Sequence, residues 1–136
     1  MKFGPKTDEE LDMEGLLPEG EYRAEVVKAE ERTSKKGNEM IALTLRVFDG
    51  NGGHQLVYDY LLEAMAKKLK HFCRVTDLEE KYDLGILRAS DCDGKGVTVR
   101  LKVDPAKGAF DAKNAVDDYL PGKPGEPESP EDDLPF

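Results

Sequence analysis

An arginine and a phenylalanine, Arg46 and Phe48, stand two positions apart in the segment EMIALTLRVFDG. Apolar residues alternate with other residues along this segment, which predicts a β-strand with one face in the core. The residues of that inward face are Ile41, Leu43, Leu45 and Val47. Arg46 and Phe48 are therefore expected to point outward. An exposed ring beside a guanidinium can stack on a planar base while the cation pairs with a phosphate, which is how single-stranded nucleic acid is bound without sequence preference.

Other basic and aromatic residues could extend this surface. Arg100 and Lys102 are expected to point outward on a later strand, in the segment KGVTVRLKVD. Phe110 follows the turn PAKG and could stack from the last hairpin loop. Three more cations are assigned to the first hairpin turn, and they are Arg32, Lys35 and Lys36. These residues are the remaining candidates for contacts with nucleic acid, apart from two tyrosines.

Tyr58 and Tyr60 share one face of a third predicted strand, HQLVYDYLL. They are candidate stacking platforms, and the pattern leaves open whether they line the core or the ligand. Asp59 lies between them, and a carboxylate prefers water. That preference favours an inward orientation for both tyrosines.

The elements that would position these residues are three strands, one helix and two further strands. The helix is predicted in EAMAKKLKHFCRV, where Met65, Leu69, Phe72 and Cys73 recur on one face. Its lysines, Lys67, Lys68 and Lys70, are interpreted as a solvated helix face. A mainly β fold with this element order predicts a five-stranded OB-fold barrel, with its helix between strands three and four. A mixed five-stranded sheet with one packed helix is the alternative.

The net charge of −9 lies mostly at the two ends of the chain. Residues 1–19 carry two lysines and six acidic residues, and residues 122–136 carry one lysine and five acidic residues. The acidic tail, rich in Pro, Gly and Glu, predicts disorder. We therefore expect an acidic extension over residues 1–15, a nucleic-acid-binding domain over residues 16–121 and a disordered tail over residues 122–136.

Enzymatic and metal chemistry find little support in the sequence. It shows no Gly-rich phosphate loop and no Ser/His/Asp arrangement, and its two cysteines, Cys73 and Cys92, are too few for a zinc site. We expect no catalytic residues, no metal and no cofactor. Neither a membrane span nor a signal peptide is apparent, so no membrane partner is expected and the predicted location is cytoplasmic.

The last six residues, EDDLPF, resemble the acidic tip of bacterial single-stranded DNA-binding proteins. Such tips dock on enzymes of replication and repair, so the resemblance implies that this tip binds a partner enzyme. An aromatic ring with its terminal carboxylate can fill an apolar pocket with a basic rim, while the neighbouring acids steer the approach. The partner-binding residues would be Asp132, Asp133, Leu134, Pro135 and Phe136.

The body of the chain resembles phage-encoded OB-fold single-stranded DNA-binding proteins. The resemblance rests on LLPEGEYRAEVVKAEERTSKKGNEMIALTLRVFDG, on VYDYL before the helix and on KNAVDDYLP, and it spans residues 16–121. It implies a role in phage replication and recombination, in the cytoplasm of a bacterial host. The alternative is an OB-fold adaptor of the replication machinery that binds protein instead of DNA. RNA binding and a homodimer both stay open.

Overall fold

The computed structural model describes residues 1–7, 15–105, 107–108 and 111–121. Within these residues the fold is mainly β, with one five-stranded antiparallel sheet and a few short helices. The strands are β1 Gly20–Thr33, β2 Glu39–Phe48, β3 His54–Leu62, β4 Gly96–Asp104 and β5 Lys113–Leu120. Their order in the sheet is β3-β2-β1-β4-β5, and each neighbouring pair is antiparallel.

Tight turns join the first three strands. Between β1 and β2, the Ser34 N–H donates to the carbonyl of Asn38 at 2.8 Å, and Gly37 adopts a φ of 88° that glycine tolerates without strain. Between β2 and β3, the Asp49 carboxylate accepts hydrogen bonds from the backbone N–H groups of Asn51 and Gly53. Asp and Gly favour such turns for these reasons, and the first hairpin turn, predicted from the sequence, is confirmed.

The core lies on the inward face of the sheet. The inward residues predicted for β2 are all buried, and they are Ile41, Leu43, Leu45 and Val47. Phe72 packs against Tyr119 of β5 edge to face, with ring centroids 5.0 Å apart and an angle of 80° between the rings. This geometry suits the opposite charges of ring face and ring edge.

The prediction of a single helix between strands three and four is wrong. The segment between β3 and β4 contains a 3-10 turn, Glu63–Met65, followed by three helices: α1 Ala66–Val75, α2 Glu79–Leu84 and α3 Ala89–Cys92. On the predicted face of α1, Phe72 and Cys73 are buried and Leu69 is partly buried, but Met65 precedes the helix and is exposed.

The sequence of α2 has residues typical of helix termini at both ends. Glu79 and Glu80 occupy its first turn, where they complement the helix dipole, and Gly85 ends it in the left-handed conformation. Buried Leu78 and partly buried Tyr82 attach this short helix to the core. Burial of two residues one turn apart can stabilise a helix too short to stand alone.

The two edge strands, β3 and β5, contact each other, and α1 packs on both. The segment before β1 is tied to β5 as well, because the Asn114 side chain exchanges two hydrogen bonds of 2.9 Å with the backbone of Leu17. Among the described residues, no helix combines the length and the apolar character needed to cross a membrane.

Candidate nucleic-acid interface

A shallow groove of about 320 Å³ lies on the outward face of β1, β2 and β3. Two cross-strand rows build it. In one row Glu30, Ala42 and Tyr60 are neighbours, and in the other Lys28, Thr44 and Tyr58 are neighbours. Because Ala42 and Thr44 are small, the centre of the groove is low. Charged side chains from β1 and aromatic rings from β3 form its two walls.

The aromatic wall is Tyr58 and Tyr60, whose exposed fractions are 63% and 43%. The inward orientation that we favoured is therefore wrong. The two tyrosines are two positions apart on one face of the strand, so their Cα atoms are separated by about 6.8 Å. Neither hydroxyl has a hydrogen-bond partner in the described part of the chain, so both rings are available to a ligand.

The reason for this orientation is the burial of Asp59, only 8% of whose surface is exposed. Its Oδ1 lies 2.8 Å from the Lys68 ammonium nitrogen, and its Oδ2 accepts a 2.6 Å hydrogen bond from the Tyr119 hydroxyl. Burial first, and then the neighbouring carboxylate, raise the pKa of Tyr119 well above its ordinary value, so the hydroxyl remains a donor. A carboxylate with partners on both oxygens can be buried.

Lys68 is thus not part of a solvated helix face. It is buried in α1, and its ammonium also lies 3.4 Å from the carbonyl oxygen of Val116 on β5. The network of Asp59, Lys68 and Tyr119, named the seam here, joins β3, α1 and β5. It fixes which face of β3 the tyrosines occupy.

The cationic wall comes from the second half of β1. Arg32 belongs to this strand and not to the turn, and its Nη2 lies 2.7 Å from Oε1 of Glu30. The Lys28 ammonium lies 3.0 Å from the other carboxylate oxygen. The hydrogen bond from Arg32, followed by that from Lys28, lowers the pKa of Glu30, and Glu30 in turn raises the pKa of Arg32.

A β-bulge explains why these residues face outward. The register of β1 with β2 shifts between Val26 and Lys28, so Val27 has no partner opposite it. Unbroken alternation from buried Ala24 and Val26 would have turned Lys28, Glu30 and Arg32 into the core. The extra residue reverses the alternation and directs the three charges into the groove, a known use of bulges beside functional sites.

Arg46 and Phe48 lie on the same outward face of β2, beyond the residues that line the groove. Both face outward as predicted, and Phe48 is 40% exposed. The Arg46 Nη1 lies 2.9 Å from a carboxylate oxygen of Glu25, and Leu56 is its neighbour on β3. Leu56 is 50% exposed, which extends the aromatic wall by an aliphatic side chain.

The remaining predicted residues are not brought into the groove. Lys35 and Lys36 are exposed in the turn after β1. Arg100 and Lys102 lie on β4, which pairs with residues 20–25 of β1, whereas the groove uses residues 28–32. Phe110 and the tip residues Asp132, Asp133, Leu134, Pro135 and Phe136 lie outside the described residues.

The sequence did not reveal two groove residues, Lys28 and Glu30, or the exposed Leu56 beside the groove. A signal for the first two exists in KAEERT, where charged residues occupy the positions that strict alternation assigns to the core. Such a conflict indicates a bulge. For Leu56, the inward orientation assigned to Tyr58 and Tyr60 placed the whole face in the core.

Metal and thiol chemistry find no site in the described ranges. No group of His, Cys, Asp or Glu residues there could hold a metal ion. Cys73 and Cys92 are free and buried, and desolvation raises their pKa values to about 11 and about 12. Thiols in this state are poor nucleophiles and poor ligands.

Residues 6–105 match the family described as "Protein of unknown function (DUF669)". The match covers well over half of the chain, so the chain belongs to this family. No curated protein matches the sequence significantly.

Proposed function

We propose that this DUF669 member binds single-stranded DNA without sequence preference, through the groove on β1, β2 and β3. The observation that carries the proposal is a groove lined by two exposed tyrosines, Tyr58 and Tyr60, and by two cations of β1, Lys28 and Arg32, with the small Ala42 and Thr44 between the two strands. Rings and cations in this arrangement match a ligand that alternates flat bases with phosphates. Base stacking on aromatic side chains is worth about 1–3 kcal/mol per base.

The spacing of the tyrosines supports single strands over duplex. Neighbouring base pairs in a duplex are stacked about 3.4 Å apart. Two rings about 6.8 Å apart on a strand face cannot each cover successive bases that remain stacked on one another. The bases have to be separated first, and an unpaired strand allows this at lower cost than a duplex.

We further propose that the sheet is an OB-fold barrel. The order β3-β2-β1-β4-β5, with contact between its two edge strands, is compatible with a partly open five-stranded barrel that has helical structure between strands three and four. OB-folds bind oligonucleotides on the face of strands two and three. The groove occupies that face.

For the wider role we propose protection of single strands during phage replication and recombination, and recruitment of a replication or recombination enzyme through the C-terminal tip. The sequence EDDLPF supports the second part, because it offers an aromatic ring and preceding acids to an apolar pocket with a basic rim. Deleting Phe136 alone should abolish capture of such an enzyme from a bacterial lysate while DNA binding is retained. Equal capture by the full chain and by the deletion variant would contradict this use of the tip.

The test of DNA binding is a titration of the full chain with poly(dT), followed by tyrosine fluorescence. The chain has five tyrosines and no tryptophan, so the tyrosine signal is unobscured. Stacked bases should quench it, and rising salt should reverse the quenching because phosphates are released. A parallel titration with poly(U) compares RNA with DNA.

A protein–protein adaptor is the second candidate, and exposed Leu56 favours it. An aliphatic side chain beside two tyrosines suits an apolar protein surface better than a base. Absence of quenching at low salt, for poly(dT) and poly(U) alike, would overturn the proposal of nucleic-acid binding and leave the adaptor.

A further inference from the structure

One carboxylate holds both cations of the groove. Glu30 uses Oε1 for Arg32 and Oε2 for Lys28, at 2.7 and 3.0 Å. The three side chains alternate along the same outward face of β1, and they line the groove opposite Tyr58 and Tyr60. Without a ligand, the cations that would receive a phosphate are therefore already paired.

We infer that Glu30 is an internal competitor of the phosphate, which weakens binding and reduces its dependence on salt. The inference rests on the proposed function of the groove. A phosphate that pairs with Lys28 or Arg32 has to replace a carboxylate oxygen of the same charge. The carboxylate and the phosphodiester are comparable acceptors, since each offers anionic oxygens to the same donors.

The ion pairs of Glu30 can be exchanged readily. The side chains of Lys28, Glu30 and Arg32 are 63%, 39% and 53% exposed, and exposed ion pairs contribute little to folding stability. Their geometry nevertheless holds the cations close to the groove when no ligand is bound.

Salt dependence offers a quantitative consequence. Each phosphate neutralised on a single strand contributes about −0.7 to the slope of log affinity against log salt, because condensed counterions are released. Where Glu30 already neutralises a cation, the phosphate gains less from that cation. Because Glu30 carries a single negative charge, removing that charge should steepen the slope by up to about 0.7.

The experiment compares Glu30→Gln with Glu80→Gln, which makes the same change in net charge. Glu80 is exposed on α2 and lies outside the groove. With dT oligonucleotides, Glu30→Gln should tighten binding at low salt about 3-fold to about 10-fold and steepen the slope, consistent with a released charge-assisted contact. Glu80→Gln should leave both quantities at the wild-type values.

Specificity for the two cations is tested on a second background. In a chain carrying Lys28→Ala and Arg32→Ala, adding Glu30→Gln should no longer steepen the slope. If Glu30→Gln matches Glu80→Gln while the wild type binds DNA, the inference is wrong and the proposed function stands. If none of these chains binds DNA at low salt, the proposed function itself fails.

Discussion

The polar groups on the two faces of β3 differ in burial and in hydrogen bonding. On the inward face, Asp59 is buried and both of its oxygens have partners, Lys68 and Tyr119. On the outward face, Tyr58 and Tyr60 are exposed, and within the described chain their hydroxyls have none. Groups with satisfied hydrogen bonds contribute to a unique fold, whereas unsatisfied exposed groups are available to a ligand. We expect the seam to control folding and the groove to control binding.

The largest effect is expected from breaking the seam at Lys68. Lys68→Met leaves the buried Asp59 carboxylate without its cation, and removing one partner of a buried pair costs about 3–5 kcal/mol of unfolding free energy. Lys67→Met, on the exposed neighbour, should change stability by less than about 0.5 kcal/mol. Denaturant unfolding followed by circular dichroism measures both variants.

A second variant separates loss of charge from loss of shape. Adding Asp59→Leu to Lys68→Met removes the stranded carboxylate, and apolar replacement of a buried ion pair is often neutral. The double variant should recover only part of the lost stability, because the buried Tyr119 hydroxyl then lacks its acceptor. If the unfolding midpoint of Lys68→Met equals that of the wild type, the seam does not stabilise the fold.

The second prediction concerns the outward face. Tyr58→Ala and Tyr60→Ala should each weaken binding to poly(dT) by about 1–3 kcal/mol, which corresponds to a factor between about 5 and about 150. The salt slope should stay the same, because stacking releases no counterions. Leu84→Ala, which removes another exposed apolar side chain, is the matched control for binding and stability. Full affinity in both folded tyrosine variants would remove the aromatic wall from the site.

The third prediction uses alkaline pH, which should act on the buried groups. Tyr119, Cys73 and Cys92 have pKa values raised by burial from 10.0 for the tyrosine and 9.0 for the cysteines. A raised pKa in the folded state means that stability is intact below the unfolded value and is lost as pH rises towards the folded value. Unfolding free energy should fall from about pH 9 upward, by about 1.4 kcal/mol per pH unit for each group.

The contributions of the thiols and the tyrosine can be told apart. In a chain with Cys73→Ala and Cys92→Ala, the decline should begin near pH 10 instead of pH 9, whatever the lower starting stability. Denaturant unfolding between pH 8 and pH 11 gives the slope. An unchanged onset in the double variant would mean that the thiols do not titrate with unfolding.

The sequence predicts some features of these strands and not others. The alternation of β2 predicts its inward residues and the outward positions of Arg46 and Phe48, because no bulge interrupts it and its apolar set is complete. The two turns that join β1, β2 and β3 also depend on local chemistry, namely glycines with positive φ and an Asp side chain that accepts backbone hydrogen bonds. Local patterns are reliable where one strand face is uniformly apolar.

Contacts between residues far apart in the sequence cannot be predicted from local patterns. Asp59 is 9 positions from Lys68 and 60 positions from Tyr119, so its burial depends on contacts that no local pattern shows. The bulge at Val27 likewise arises from the register with β2. Both features decide the groove. One turns the tyrosines outward, and the other directs Lys28, Glu30 and Arg32 towards them.

The smallest effect is expected at the second basic region, Arg100 and Lys102 on β4. These cations lie near Asp117 and Asp104, at 3.4 and 4.0 Å, beside the half of β1 that the groove does not use. Our prediction that they contact DNA therefore depends on ligand length. A single strand that extends past the groove can reach β4, whereas one confined to the groove cannot.

Arg100→Ala combined with Lys102→Ala should leave affinity and salt slope unchanged for an oligonucleotide of about 5 nucleotides, at the lower end of the roughly 4–16 that an OB-fold covers. For a strand well beyond that range, the same substitutions should flatten the slope by at most about 1.4, the value for two lost phosphate contacts. Lys67→Ala with Lys70→Ala, which removes the same charge from exposed positions of α1, is the control. Equal flattening for short and long oligonucleotides would place Arg100 and Lys102 inside the site and make the groove only part of it. No flattening at either length would confine DNA to the groove on β1, β2 and β3.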